Sequence, residues 1–99
     1  MKAAVSRLTK SQAWELARHK IRVNAIAPGF IDIRAHPGER GERYDMYNIR
    51  AEVELPLGRG EPPDIANGVV YLLSDESRYV TGQTIFIEGG FLLAPISEI

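Results

Sequence analysis

Four tyrosines, two histidines and no cysteine make up the side chains of this sequence best suited to proton transfer, nucleophilic attack or metal ligation. Tyr44 and Tyr47 stand in a charged stretch, placed either to line a substrate pocket or to face solvent. Tyr79 precedes the last β-rich run and is expected to pack over the last helix, with no catalytic part. His19 and His36 have no second histidine or carboxylate at ligand spacing, so no metal site is expected. The lack of cysteine excludes a disulfide framework and a thiolate metal centre. No G-x-G-x-x-G cluster occurs, and Gly38 and Gly41 sit in a charged loop and follow no strand. That leaves Pro28-Gly29, which closes a β-rich run. Ligands of open α/β sheets bind outside the carboxyl ends of strands. The pair therefore reads either as a plain strand terminator or as one edge of a pocket.

The elements that must position this edge follow from periodicity. Residues 2–19 read as a helix, with Ala4, Val5, Leu8, Ala13, Leu16 and Ala17 at spacings of three and four on one stripe. Trp14 lies off that stripe, placed to face a partner. The helix should end near His19-Lys20, where cations complement the carboxyl-end dipole. Ile21 to Ala27 reads as a strand, since Pro28 cannot continue a central ladder. Residues 30–55 are charged and broken by Pro37, Gly38 and Gly41, with a short helix expected near Tyr44–Val53. A connection of this length is usually a binding loop, a lid or a disordered segment. Pro62-Pro63-Asp64 opens a second helix with Ile65, Ala66, Val69, Val70 and Leu73 on its stripe, widened by Leu72. Gly68 weakens it by about 1 kcal/mol relative to alanine unless it admits a close neighbour. Gln83 to Glu88 is a second strand, stopped by Gly89-Gly90.

Helix, strand, loop, helix, strand predicts two parallel strands with helical crossovers, a portion of a doubly wound α/β sheet. Two strands are few, because a stable sheet needs about three or more or heavy cover. The 99 residues fit one domain, here a partial one. Net charge is −1 with no basic stripe, so nucleic acid is not an expected partner. No apolar run approaches the ~20 residues needed to span a bilayer, and Met1 to Arg7 has no long apolar core of a secretory signal. The expectation is a cytoplasmic protein with no membrane partner.

Several segments together match one family. Lys2-Ala3-Ala4-Val5, Ile21-Arg22-Val23-Asn24-Ala25-Ile26-Ala27-Pro28-Gly29, Pro56-Leu57-Gly58-Arg59, Asp64-Ile65-Ala66, Tyr79-Val80-Thr81-Gly82-Gln83 and Glu88-Gly89-Gly90 occur in order. In this set the chain resembles the C-terminal part of short-chain dehydrogenases/reductases, from residue 2 to about residue 91. The resemblance implies a Rossmann-like sheet, NAD or NADP as cofactor, and hydride transfer between a nicotinamide and a small-molecule alcohol or carbonyl. It gives Lys2 the place of the family's catalytic lysine, which holds the nicotinamide ribose and lowers the pKa of a tyrosine four residues earlier. That tyrosine, a serine and the glycine-rich turn would all fall ahead of Met1. The resemblance also makes Pro28, Gly29 and Ile31 cofactor-binding, with backbone groups at Ile31 holding the carboxamide. The family's usual threonine is Ile33 here, which removes a hydroxyl contact, and its closing Asp-Gly-Gly is Glu88-Gly89-Gly90. Residues 30–55 match the variable substrate loop.

The chain then has three readings. It is a truncated dehydrogenase/reductase, inactive alone; or it complements an N-terminal fragment; or it is a non-catalytic assembly protein. Apolar faces stripped of their covering layers favour association, and the matching helices and last strand build oligomer contacts in the family, so a homo-oligomer is expected. Asn24 is expected to be a structural amide beside the strand.

Overall fold

The computed structural model describes residues 2–31 and 55–93, Lys2 by its backbone alone. Helix α1 spans Lys2–Leu16, in a stretch dense in alanine, lysine, arginine, glutamine and leucine, all good helix formers. A 3₁₀ turn, Ala17–His19, continues it. Lys20 then takes the left-handed conformation at φ 62°, and its N–H closes on the Ala17 carbonyl at 2.9 Å. The helix thus stops where the His19-Lys20 signal places the end.

Strand β1 is Ala25–Pro28 and β2 is Thr84–Ile87. They pair in parallel, Ala25 against Thr84 through Pro28 against Ile87. The predicted strand began at Ile21, four residues too early. Ile21 to Asn24 lie outside the ladder because the facing chain turns at Gly82, whose φ is +72°. Gly82 N–H donates to the Val23 carbonyl at 2.8 Å, and Val23 N–H donates to the Thr81 hydroxyl at 3.1 Å. Asn24 bridges the junction as a structural amide. Its Nδ2 donates to Val80 O at 3.0 Å, and its Oδ1 accepts from Gln83 N–H at 3.0 Å.

Helix α2 spans Pro62–Leu73. Two prolines open it, where the missing N–H groups would have been unpaired anyway. Asp64 closes the turn, accepting the Glu61 N–H at 2.7 Å. A 3₁₀ turn, Asp75–Ser77, follows α2, and another, Phe91–Leu93, follows β2.

Paired residues of a parallel ladder share a face, and neighbours along a strand alternate. Ile26, Pro28, Ile85 and Ile87 therefore share one face and Ala25, Ala27, Thr84 and Phe86 the other. Helix α2 takes the isoleucine face. A Cβ on Gly68 would run into Ile87 Cδ1 and come within 3.5 Å of Ile26 Cδ1, so this glycine admits the close approach. Helix α1 takes the other face, where the Thr84 hydroxyl donates to the Ser6 hydroxyl at 3.3 Å. The arrangement is α/β, two parallel strands with one helix on each side, as the element order requires.

The faces the helices use overlap the predicted stripes at Ala13, Leu16, Ile65 and Leu72 and depart from them elsewhere. On α1 the buried residues are Thr9 and Ala13, while Val5 and Leu8 are exposed. Thr9 is accommodated because its hydroxyl donates to the Val5 carbonyl at 2.8 Å. On α2 the half-buried positions are Ile65, Gly68 and Leu72, while Ala66, Val69, Val70 and Leu73 are exposed. Gly68, between Ile65 and Leu72 on this face, is the position that lets α2 approach the sheet closely. Tyr79 does not pack over α2: it is 92% exposed, with the Arg78 guanidinium 5.9 Å from its ring centre.

Candidate functional site at the carboxyl edge of the sheet

Both strands end on the same rim, and four short segments converge there. Gly29 follows β1, and its N–H donates to the Ile87 carbonyl at 2.9 Å. A Cβ at Gly29 would lie 2.7 Å from Glu88 Cα and 2.8 Å from Glu88 Cβ, so only glycine fits. The chain that returns after residue 54 is then tied to both strand ends. Leu57 N–H donates to Gly89 O at 3.0 Å and Gly60 N–H to Phe30 O at 2.7 Å. Gly60 forms a parallel bridge with Ile31. In extended backbone, consecutive residues direct their polar groups to opposite sides. With the Phe30 carbonyl on Gly60, the N–H and C=O of Ile31 turn away from Gly60.

The segment after β2 is fixed as firmly. Gly89 and Gly90 take φ of 65° and 95°, a left-handed pair that reverses the chain. The Glu88 carboxylate accepts N–H groups of Leu92 at 2.7 Å and Gly90 at 3.3 Å. This brings Phe91 edge-on to Phe30, ring centres 5.4 Å apart at 79°. A cleft of about 310 Å³ opens on the α2 side between Ile31, Leu57, Asp64 and Gly89. A second, of about 200 Å³, opens on the α1 side between Phe30, Phe86 and Phe91.

Of the residues predicted for the site, Pro28, Gly29 and Ile31 fall together on this rim. Lys2 joins them by backbone position. Near Ala13, helix α1 runs beside Gly82, where the Lys10 ammonium donates to Gly82 O at 3.2 Å. Near Ser6 it runs beside Thr84. The helix therefore lies antiparallel to the strands, with its first turn at their carboxyl ends. Ile33, His36, Tyr44 and Tyr47, most of the 30–55 loop and the helix expected near Tyr44–Val53 lie outside the described residues. Among the described residues no group of histidine, cysteine and acidic side chains is placed to hold a metal ion, and no helix is long and apolar enough to cross a membrane.

Sequence reasoning missed the grip that Glu88, Phe91 and Gly60 exert on the rim. Glu88 read as a strand terminus and as the first residue of the closing Glu88-Gly89-Gly90 motif, and no periodic signal gives it a further role. Its acceptor role is recognisable only once Gly90 and Leu92 are known to turn back upon it.

Comparison with known proteins agrees with this geometry. Residues 1–92 match the family model described as enoyl-(acyl carrier protein) reductase. A 3-oxoacyl-[acyl-carrier-protein] reductase FabG of Thermotoga maritima is 45% identical over 93 residues, which are 93% of this chain and 36% of that protein. A 3beta-hydroxysteroid dehydrogenase 1 of Eggerthella lenta is 42% identical over 97 residues, 95% of this chain and 36% of that one. Among solved structures, a small-chain dehydrogenase in complex with NADPH superposes with a TM-score of 0.80 at 38% identity, covering 93% of this chain and 41% of that one. A putative oxidoreductase from Escherichia coli K-12 gives 0.75 at 41% identity, over 97% and 34%. The sequence thus spans little more than a third of its curated relatives, 37% of the Rickettsia felis FabG reductase for example. The family match over residues 1–92 and these likenesses show that the chain belongs to the short-chain dehydrogenase/reductase family.

Proposed function

We propose that this chain supplies the nicotinamide-side edge of an NAD(P)-dependent oxidoreductase site, and that its 99 residues acting alone do not turn over. The observation that carries the reading is the pinned rim. Ile31 offers a donor and an acceptor from one residue, turned away from Gly60. A carboxamide has the complementary acceptor and donor, so the backbone fits a nicotinamide. The cofactor, NAD or NADP, supplies or accepts the hydride when bound. Pro28 and Gly29 set the direction in which the chain leaves β1, and so aim Ile31. Lys2, in the first turn of α1 on the same rim, is the residue to hold the ribose; its ammonium would stabilise a nearby phenolate and lower that phenol's pKa. The substrate is a small alcohol or carbonyl compound, met by the segment within 30–55. Residues 1–99 act as one partial domain.

Inactivity alone follows from what these residues lack. Tyr44, Tyr47, Tyr71 and Tyr79 are the tyrosines present, and none stands four residues before a lysine. No glycine-rich phosphate cradle is present either. The purified chain with NADH or NADPH and a panel of ketones should show no loss of nicotinamide absorbance. Mixed with a polypeptide supplying the remaining portion of a relative, it should gain both dinucleotide binding by calorimetry and turnover. Turnover by the chain alone, or no binding by the mixture, would sink the reading.

A homo-oligomer is the accompanying reading, carried by α1. Val5 and Leu8 on one flank are 52% and 57% exposed, and Trp14 on the other is 85% exposed. Apolar surface of this kind favours association. Size-exclusion chromatography with light scattering should give a mass above the 11.0 kDa chain. A monodisperse monomer excludes it.

A further inference from the structure

Resting on the rim as the nicotinamide edge, we infer that Glu88 and Phe91 are positioning residues: they form a clamp that fixes the Gly29–Ile31 backbone from the far side of β2. Three contacts make the clamp. The Glu88 backbone lies so close under Gly29 that no side chain fits between them. The Glu88 carboxylate holds Gly90 N–H and Leu92 N–H, one on each oxygen, and its carbonyl accepts Phe91 N–H at 3.2 Å. These bonds fix the Phe91–Leu93 turn and seat the Phe91 ring against Phe30 at 5.4 Å. Gly60 holds the same segment from the opposite side through the Phe30 carbonyl at 2.7 Å.

The position of Ile31 is therefore set by two arms, one on each side of Phe30. Neither Glu88 nor Phe91 needs to touch a bound molecule. Each carboxylate oxygen accepts one backbone N–H, so Glu88 acts here as the cap of the turn. A carboxamide reads a donor and an acceptor at fixed spacing, so slack of a few tenths of an ångström at Ile31 weakens it. The Glu88-Gly89-Gly90 sequence, two left-handed glycines behind an acidic side chain, has this clamp as its consequence.

Two measurements on Phe91→Ala, Phe91→Tyr and Glu88→Gln test the clamp. The first is amide hydrogen exchange of the 99-residue chain. Losing an aromatic pair or a charge-assisted cap should speed exchange at Gly60 about threefold to tenfold in Phe91→Ala and Glu88→Gln. Exchange at Gly82, whose N–H meets Val23 at the other end of the sheet, should not change. Phe91→Tyr, which keeps the ring edge on Phe30, should match the unmodified chain. The second is NADH affinity of the assembly made with the complementing polypeptide, followed by nicotinamide fluorescence. It should fall with the same ranking while the thermal midpoint of the assembly stays put. Equal effects at Gly60 and Gly82, or no effect at either, overturn the clamp. So does an affinity unchanged across all three variants in an assembly that binds NADH. If the unmodified assembly binds no dinucleotide while Gly60 still loosens selectively, the clamp on the backbone is supported and the nicotinamide reading is what fails.

Discussion

Gly29→Ala is expected to lower the thermal midpoint of the chain strongly, and by more than Gly68→Ala does. The added Cβ would sit 2.7 Å from a backbone atom, Glu88 Cα, and 2.8 Å from Glu88 Cβ. Neither atom moves without shifting β2, because Gly29 N–H is bonded to Ile87 O at 2.9 Å. Overpacking of this sort costs about 1–3 kcal/mol, and each kcal/mol displaces the midpoint by roughly 4–8 °C in a chain of this size. Gly68→Ala is the control. Its Cβ would also collide, but with Ile87 Cδ1, the far end of a side chain that can turn aside. Gly68→Ala is therefore expected to be milder, helped by the roughly 1 kcal/mol that alanine gains over glycine in a helix. Circular dichroism melts of the two variants check the order. A Gly29→Ala chain as stable as the unmodified one would mean that β1 and Glu88 are not held together as described.

The same two glycines show how far the sequence could be read. Element order, parallel pairing and the place of Pro28-Gly29 at a strand end were legible, because periodicity and punctuation report them directly. Which face of each helix meets the sheet was legible in part: Ala13 and Leu16 of the predicted α1 stripe and Ile65 and Leu72 of the α2 stripe are buried or half-buried. Hydrophobic spacing pointed to Val5 and Leu8 on α1 and to Val69, Val70 and Leu73 on α2, yet these are the exposed ones. The buried positions of α1 include Thr9, whose hydroxyl is bonded back to its own helix, and the small Ala13, and on α2 it is Gly68 that comes closest to the strand isoleucines. Periodicity counts apolar atoms, and close approach is decided by their absence. The early start given to β1 has the same origin. Ile21 to Val23 are as β-prone as the ladder residues, but Asn24 and Gly82 replace ladder bonds with side-chain and turn bonds. The site was legible only in part. Pro28, Gly29 and Ile31 came from a motif, whereas the grip of Glu88, Phe91 and Gly60 on them depends on turns that no single residue announces.

Arg22→Ala is the second substitution expected to weaken the fold strongly, and it acts at the opposite end of the sheet. The guanidinium joins the chain entering β1 to the exit of α2. Its Nη1 donates to the Ser77 hydroxyl at 3.0 Å and to Val80 O at 3.4 Å, and its Nη2 to Ser74 O at 3.2 Å. Ser77 is fully buried, with its own hydroxyl proton placed between the Leu72 and Ser74 carbonyls at 3.1 Å each. Removing Arg22 takes away three part-buried hydrogen bonds from a charged group and leaves the buried Ser77 oxygen without its donor, a loss of about 1.5–3 kcal/mol. Partial exposure of Arg22 lets water replace some of it, so the lower half of that range is expected. Lysine should recover less than half, because one ammonium cannot reproduce a planar fork spanning three acceptors. Ser77→Ala removes the shared hydroxyl, and the double variant should fall short of the sum by about 0.5–3 kcal/mol, as contacting residues do. Denaturant midpoints of the four proteins measure this coupling. Additive losses would show that Arg22 and Ser77 act separately, and a loss below about 0.5 kcal/mol for Arg22→Ala, the range of ordinary surface changes, would remove the node from the account of the fold. Because this node lies far from Gly29, its loss should leave selective exchange at Gly60 untouched until the whole chain opens.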